Sequence, residues 1–149
     1  LIETANITTT GLQHYGELVY LNASGAVTLT GVGVTFDEKV FGPKGLVIQD
    51  SGVTTFEKEV GHGAALASLT INGGGTVHIN GGEVTTTGAQ DYQNAVELGA
   101  SMTNLNALGV NFAETVNGSS TTAVDLTVNA SVGGASPTLG NATFNKAIG

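Results

Sequence analysis

Apolar and polar residues alternate along this chain in short bursts. Val27 and Leu29, then Val32, Val34 and Phe36, then Leu69 and Ile71 stand at every second position. Val77 and Ile79, Val110 and Phe112, and Val124, Leu126 and Val128 do the same, with Thr, Asn, Gly or His between them. A period of two sends successive side chains to opposite sides and predicts β-strands with one buried face. The runs are three to six residues long and break at Gly or Asn, as in Gly73-Gly74-Gly75, Asn80-Gly81-Gly82 and Asn117-Gly118. Such residues reach the positive φ that tight corners require. The two prolines, Pro43 and Pro137, fall in turn-like stretches and interrupt no strand. No segment carries a helical stripe.

A long repeat overlies this pattern. Residues 7–21, ITTTGLQHYGELVYL, match residues 84–98, VTTTGAQDYQNAVEL, at an offset of 77. GVGVTFDEKVFG at 31–42 answers LGVNFAETVNG at 108–118 after a one-residue deletion, and TFEKEVG at 55–61 answers TFNKAIG at 143–149. The last offset is 88, which places an insertion within 129–141. The chain therefore divides into two tandem copies, about 1–83 and 84–149, of a single solenoid segment covering 1–149.

A shorter repeat runs inside the long one. An aromatic residue is followed four positions later by Val or Ile: Tyr15/Val19, Phe36/Val40, Phe56/Val60, Tyr92/Val96, Phe112/Val116 and Phe144/Ile148. The steps Tyr15→Phe36, Phe36→Phe56 and Tyr92→Phe112 are 21, 20 and 20 residues. The gap from Phe56 to Tyr92 is 36, and Val77 and Ile79 near its middle are candidates for one missing rung. Units of about 20 residues are too short for independent cores, so each must stack on its neighbours. Short strands at this period predict an all-β fold, a right-handed parallel β-helix of about seven rungs, roughly 34 Å long at about 4.8 Å per rung. Phe36, Phe56, Phe112 and Phe144 are expected to point inward at equivalent corners, with Thr outward. An antiparallel sandwich also uses short alternating strands but does not require an aromatic in fixed phase.

Composition narrows the function. Four Lys, no Arg and 12 Asp+Glu give a formal charge of −8, and charged residues are 11% of the chain. Four lysines cannot build the basic face that phosphate neutralisation needs, so no nucleic-acid partner is expected. The absence of Cys excludes disulfide staples and thiolate zinc sites. No apolar run approaches the roughly 20 residues of a membrane-spanning helix, and no membrane insertion is expected. The chain opens Leu1-Ile2-Glu3 without a basic or apolar leader, which reads as a mature product or an excised segment.

Candidate chemistry is sparse. His14, His62 and His78 show no metal-ligand spacing; His78 alternates outward, His62 lies between glycines, and His14 stands where the second copy has Asp91. Asp37-Glu38 is the one adjacent acidic pair, and its counterpart is Ala113-Glu114. Glu57 and Glu59 become Asn145 and Ala147. The period brings Asp37 and Glu57 to neighbouring rungs, interleaved with Lys39 and Lys58, which reads as a solvated mixed-charge corner. Neither an EF-hand spacing nor the GGxGxDxUx nonapeptide is present. Five Asn-x-Ser/Thr triplets begin at Asn6, Asn22, Asn117, Asn129 and Asn141. They stand as sugar-acceptor sequences or as corner and amide-ladder residues. No catalytic, cofactor-binding or metal residue is assigned, no cofactor is expected, and the chain is read as not an enzyme.

The phrase Ile/Val-Thr-Thr-Thr-Gly-x-Gln-x-Tyr-x-x-x-Val-x-Leu at 7–21 and 84–98 is followed by a Leu-Thr-Gly run, TFxxxV and LTxN-type strands. Together these resemble the repeats of filamentous-haemagglutinin-type adhesins and related giant bacterial surface proteins, over Asn6 to Gly149. The resemblance implies export to the bacterial cell surface or extracellular space and a rod-like β-helical shaft, and it carries no catalytic residue. Three functions follow as expectations: an adhesin shaft, a subunit of a self-assembling extracellular filament, or a carbohydrate-active β-helix. The expected partners are a second copy or further rungs of a longer chain at the ends, and host or neighbouring-cell glycans or proteins along the side.

Overall fold

In the computed structural model, which describes residues 1–119, 123–130 and 140–149, the chain climbs through turns of two or three short strands. The first turn holds β1 (Asn6–Thr8), β2 (Gln13–Tyr15) and β3 (Val19–Tyr20), and the second β4 (Val27–Gly31), β5 (Val34–Phe36) and β6 (Val40–Phe41). The third holds β7 (Leu46–Asp50), β8 (Val53–Phe56) and the single bridging residue Val60. The fourth is β9 (Leu69–Asn72), β10 (Thr76–Ile79) and β11 (Glu83–Thr85); the fifth is β12 (Ala89–Tyr92), β13 (Ala95–Leu98) and β14 (Met102–Asn106). The sixth is β15 (Gly109–Phe112), β16 (Val116–Gly118) and β17 (Asp125–Asn129), and β18 (Ala142–Phe144) begins another.

Every strand pairing among the described residues is parallel, and each joins a strand to its equivalent one turn away. The fold is a parallel β-solenoid, and the antiparallel sandwich is excluded. It has a seven-stranded face (β1-β4-β7-β9-β12-β15-β18) and a six-stranded face (β2-β5-β8-β10-β13-β16). A third, split face consists of β3-β6 and β11-β14-β17, joined through Val60, which bridges Val40 below and Val84 above. Turn length on the seven-stranded face varies: Val27 to Leu46 is 19 residues, Leu46 to Leu69 is 23, and Leu69 to Gln90 is 21. Val110 to Ala142 is 32, so the expected insertion falls after β17. Residues 131–139 of it, with Pro137, lie outside the described residues.

The core is a set of columns along the axis. Val19, Val40, Val60, Val84, Leu105 and Val128 line the split face. The aromatic ends one strand, and the Val or Ile four residues later lies at or next to the first paired position around the following corner, which is why the two recur together. Ile79 pairs with Phe56 and fills the missing rung.

One expectation is corrected. The aromatics do not share one set of corners. Tyr15, Phe36 and Phe56 stack on the six-stranded face, at centroid separations of 4.9 and 5.3 Å. Tyr92, Phe112 and Phe144 stack on the seven-stranded face, at 5.1 and 4.9 Å. Phe36, Phe56 and Phe112 are buried, whereas Phe144 is 36% exposed because no described strand lies above β18. The cause is the length of the long repeat. An offset of 77 residues is not a whole number of turns; it carries β1 on the seven-stranded face to β11 on the split face, three turns and two thirds on. Thr does not always face outward either: Thr54, Thr86 and Thr103 are fully buried.

Candidate functional site

The repeated Thr-Thr-Thr-Gly-x-Gln-x-Tyr phrase builds an internal corner. In the first copy Gln13 is buried, and its Nε2 donates to Thr30 O (2.8 Å) and Thr9 Oγ1 (3.3 Å). Thr9 Oγ1 in turn donates to Gly11 O, and Tyr15 Oη donates to Gln13 Oε1 (2.8 Å). The second copy repeats the network. Gln90 Nε2 donates to Val84 O (3.0 Å), Asn106 O (3.1 Å) and Thr86 Oγ1 (3.5 Å), while Tyr92 Oη donates to Gln90 Oε1 (3.0 Å). An amide has two donor hydrogens and an acceptor oxygen, and here it satisfies carbonyls that a bend in the coil turns inward. Sequence reasoning used this phrase only as a repeat marker. A polar residue recurring at an inward position was the available signal.

Asp50 is the one fully buried carboxylate among the described residues. Its Oδ1 accepts from Gly33 N (2.6 Å) and Gly52 N (2.7 Å), and its Oδ2 from Thr54 Oγ1 (2.8 Å). These donors give both buried side-chain oxygens a hydrogen-bond partner. The next turn must pass close by. Gly73 has φ +111°, and a Cβ there would stand 2.6 Å from Asp50 N, so only glycine fits.

The charged residues pair between turns. His14 Nε2 lies 2.7 Å from Asp37, His62 Nδ1 3.5 Å from Glu83, and His78 Nε2 3.2 Å from Glu97. Lys39 Nζ stands 3.4 Å from Glu59. Asp37 and Glu57 occupy equivalent positions on neighbouring turns, as their backbone bonds to Tyr15 O and Phe36 O require. The expected mixed-charge corner is therefore present. Glu59 is held below the ordinary carboxylate value, first by its own backbone N–H, against the opposing effect of burial, and further by Lys39 and His62. Pairs this exposed contribute about 0–1 kcal/mol each. Among the described residues no group of three His, Asp or Glu side chains converges as a metal site would require.

The outward rows carry polar ladders. Asn129 Nδ2 donates to Asn106 Oδ1 (2.8 Å), and Asn106 Nδ2 to Thr85 Oγ1 (3.1 Å). On the seven-stranded face Asn145 Nδ2 donates to Asn111 Oδ1 (3.3 Å) and Asn111 Nδ2 to Asp91 Oδ1 (2.8 Å). Of the five Asn-x-Ser/Thr triplets, Asn129 is thus engaged in a ladder, and its Ser131 lies outside the described residues. Asn6, Asn22, Asn117 and Asn141 are exposed. No helix is long and apolar enough to cross a membrane among the described residues. Comparison with family models, curated proteins and solved structures finds no match.

Proposed function

We propose that this chain is a length of rigid shaft from an exported, adhesin-like bacterial surface protein. It acts mechanically, by stacking rungs into a rod and presenting repeated weak contacts along its sides, and it performs no catalysis. The observation that carries this reading is the uninterrupted parallel ladder: the seven-stranded face pairs turn upon turn without a break. The internal tandem repeat lengthens the ladder by adding rungs, as a spacer requires. The resemblance of the Thr-Thr-Thr-Gly-x-Gln-x-Tyr phrase to haemagglutinin-type repeats supplies the surface location. End-to-end contact belongs to the same proposal. The outer edge of a terminal parallel strand offers N–H and C=O groups that another strand can pair with, from a second copy or from further rungs of one polypeptide.

Negative-stain electron microscopy of the native material tests this. A thin rod or fibre is expected, and a compact particle would defeat the shaft. Product assays on pectin, alginate and hyaluronan are expected to stay at background. Reproducible cleavage lost in Asp37→Asn would replace the shaft by the carbohydrate-active reading.

A further inference from the structure

Three asparagines precede glycine: Asn72-Gly73, Asn80-Gly81 and Asn117-Gly118. Such a dipeptide carries its own chemistry. The nitrogen of the following residue can attack the asparagine side-chain carbonyl, and glycine, with no Cβ, leaves that approach open. The fold treats the three sites differently. Asn80 Nδ2 donates to Glu57 Oε2 (3.1 Å) and Gly81 N to Phe56 O (3.2 Å), so carboxamide and attacking nitrogen are both engaged. Gly81 is also pressed against the Lys58 main chain, with no room for a Cβ. Gly118 N donates to Gly149 O (3.2 Å). Asn72, by contrast, ends β9 half-buried, and Gly73 is exposed. Among the described residues no hydrogen bond like that of Asn80 holds the Asn72 carboxamide, and Gly73 N–H donates to no backbone oxygen.

We propose that Asn72 is a site of spontaneous covalent modification, at which the folded chain converts asparagine to aspartate and isoaspartate. Gly73 N gives up its proton to solvent base and bonds to Asn72 Cγ. The Cγ–Nδ2 bond then breaks, and the nitrogen takes up a proton and leaves as ammonia. Water opens the resulting five-membered imide at either carbonyl. Opening at Cγ gives aspartate, and opening at the main-chain carbonyl gives isoaspartate, whose chain runs on through Cβ and Cγ. Water is the only co-reactant, and nothing is oxidised or reduced. The position gives the change a consequence. Gly73 has φ +111° and packs against the main chain of buried Asp50. Just beyond it Gly74 N donates to Asn94 Oδ1 (3.1 Å) and Gly75 N to Asp50 O (3.2 Å). The extra main-chain carbon of isoaspartate has no room in a corner tied on both sides. Isoaspartate therefore loosens the contact between the third and fourth turns, whereas aspartate alters only an outward side chain. None of this depends on the shaft reading.

Peptide mass spectrometry of the 149-residue chain, aged in warm, mildly alkaline buffer, tests this, with electron-transfer fragmentation to tell isoaspartate from aspartate. The same chain aged in urea is the control. There the three sites differ little, since Ile71, Ile79 and Val116 precede them and glycine follows each, and comparable rates are expected. In the folded chain conversion is expected to be at least about fivefold faster at Asn72 than at Asn80, where hydrogen bonds must break first. Asn117, with its Gly118 nitrogen bonded, is expected to lag behind Asn72 as well. The melting temperature should fall as isoaspartate accumulates, and Asn72→Gln, aged alongside, should keep its own. No conversion at Asn72 in the folded chain, equal conversion at Asn80 or Asn117, or an equal fall in melting temperature in Asn72→Gln would overturn the proposal.

Discussion

Gln90 shows how a single polar side chain can hold a corner that apolar packing cannot. Replacing it by Leu would leave Val84 O, Asn106 O and the buried Tyr92 hydroxyl without their partner. An unsatisfied buried group costs about 1–3 kcal/mol, so Gln90→Leu is expected to lose about 3 kcal/mol in urea titration. Tyr92→Phe strands only Gln90 Oε1, and about 1 kcal/mol is expected. Because one bond is shared, the double variant should cost less than the sum; strict additivity would show that the two side chains act separately. Tyr92 also sets an alkaline limit. Burial pushes its phenol above the ordinary value near 10, so the folded state keeps a proton that the unfolded state releases. This contribution is fully present below about pH 10 and is lost as pH rises further, by up to about 1.4 kcal/mol per unit. Tyr92→Phe should flatten the decline above pH 10, and an unchanged slope would assign it to other groups.

The strands are too short to persist alone, and the columns they form supply the stability. Phe112 is buried between Tyr92 and Phe144, whereas Phe144 has a ring on one side only. Phe112→Ala is expected to cost about 3–5 kcal/mol through the cavity it leaves. Phe144→Ala should cost less than about 2 kcal/mol, since the half-exposed ring gives up less buried area; equal losses in chemical denaturation would contradict the column. Most of this layer was legible in the sequence. Alternation located the inward side chains, the 20-residue phase ordered them, and Ile79 was read correctly as a substitute rung. The assignment of columns to faces was not legible, and the reason is physical. All three faces present the same inward-outward alternation, so a Phe at the right phase marks a strand end without saying which side of the coil it closes. Gln13 and Gln90 escaped for a related cause. Their Thr and Tyr partners recur with them in the repeated phrase, but the carbonyls that they also satisfy at the bend carry no residue-type signature.

At the scale of the molecule, the long repeat turns as it climbs. Displacement by 77 residues moves each feature three turns up and two thirds of the way round, so the Gln-Tyr network serves different corners in the two copies. Buried features are thus spread around the axis, and no one side concentrates the apolar mass. Each turn nevertheless touches only the turns above and below, so the coil behaves as a linear chain of coupled units. Stability in such a chain is highest where a turn has two neighbours and falls toward the ends, and amide exchange should record it. Protection is expected to be greatest in β7 to β13 and least in β1 to β3 and β18. A lesion should spread by coupling and fade with distance. Phe112→Ala is therefore expected to speed exchange in β12 to β18 strongly while leaving β1 to β5 close to the parent rate. Hydrogen exchange followed by mass spectrometry on peptides from each turn reads both effects. Uniform acceleration from β1 to β18 would show one all-or-none unit, and the nearest-neighbour description of this solenoid would have to be abandoned.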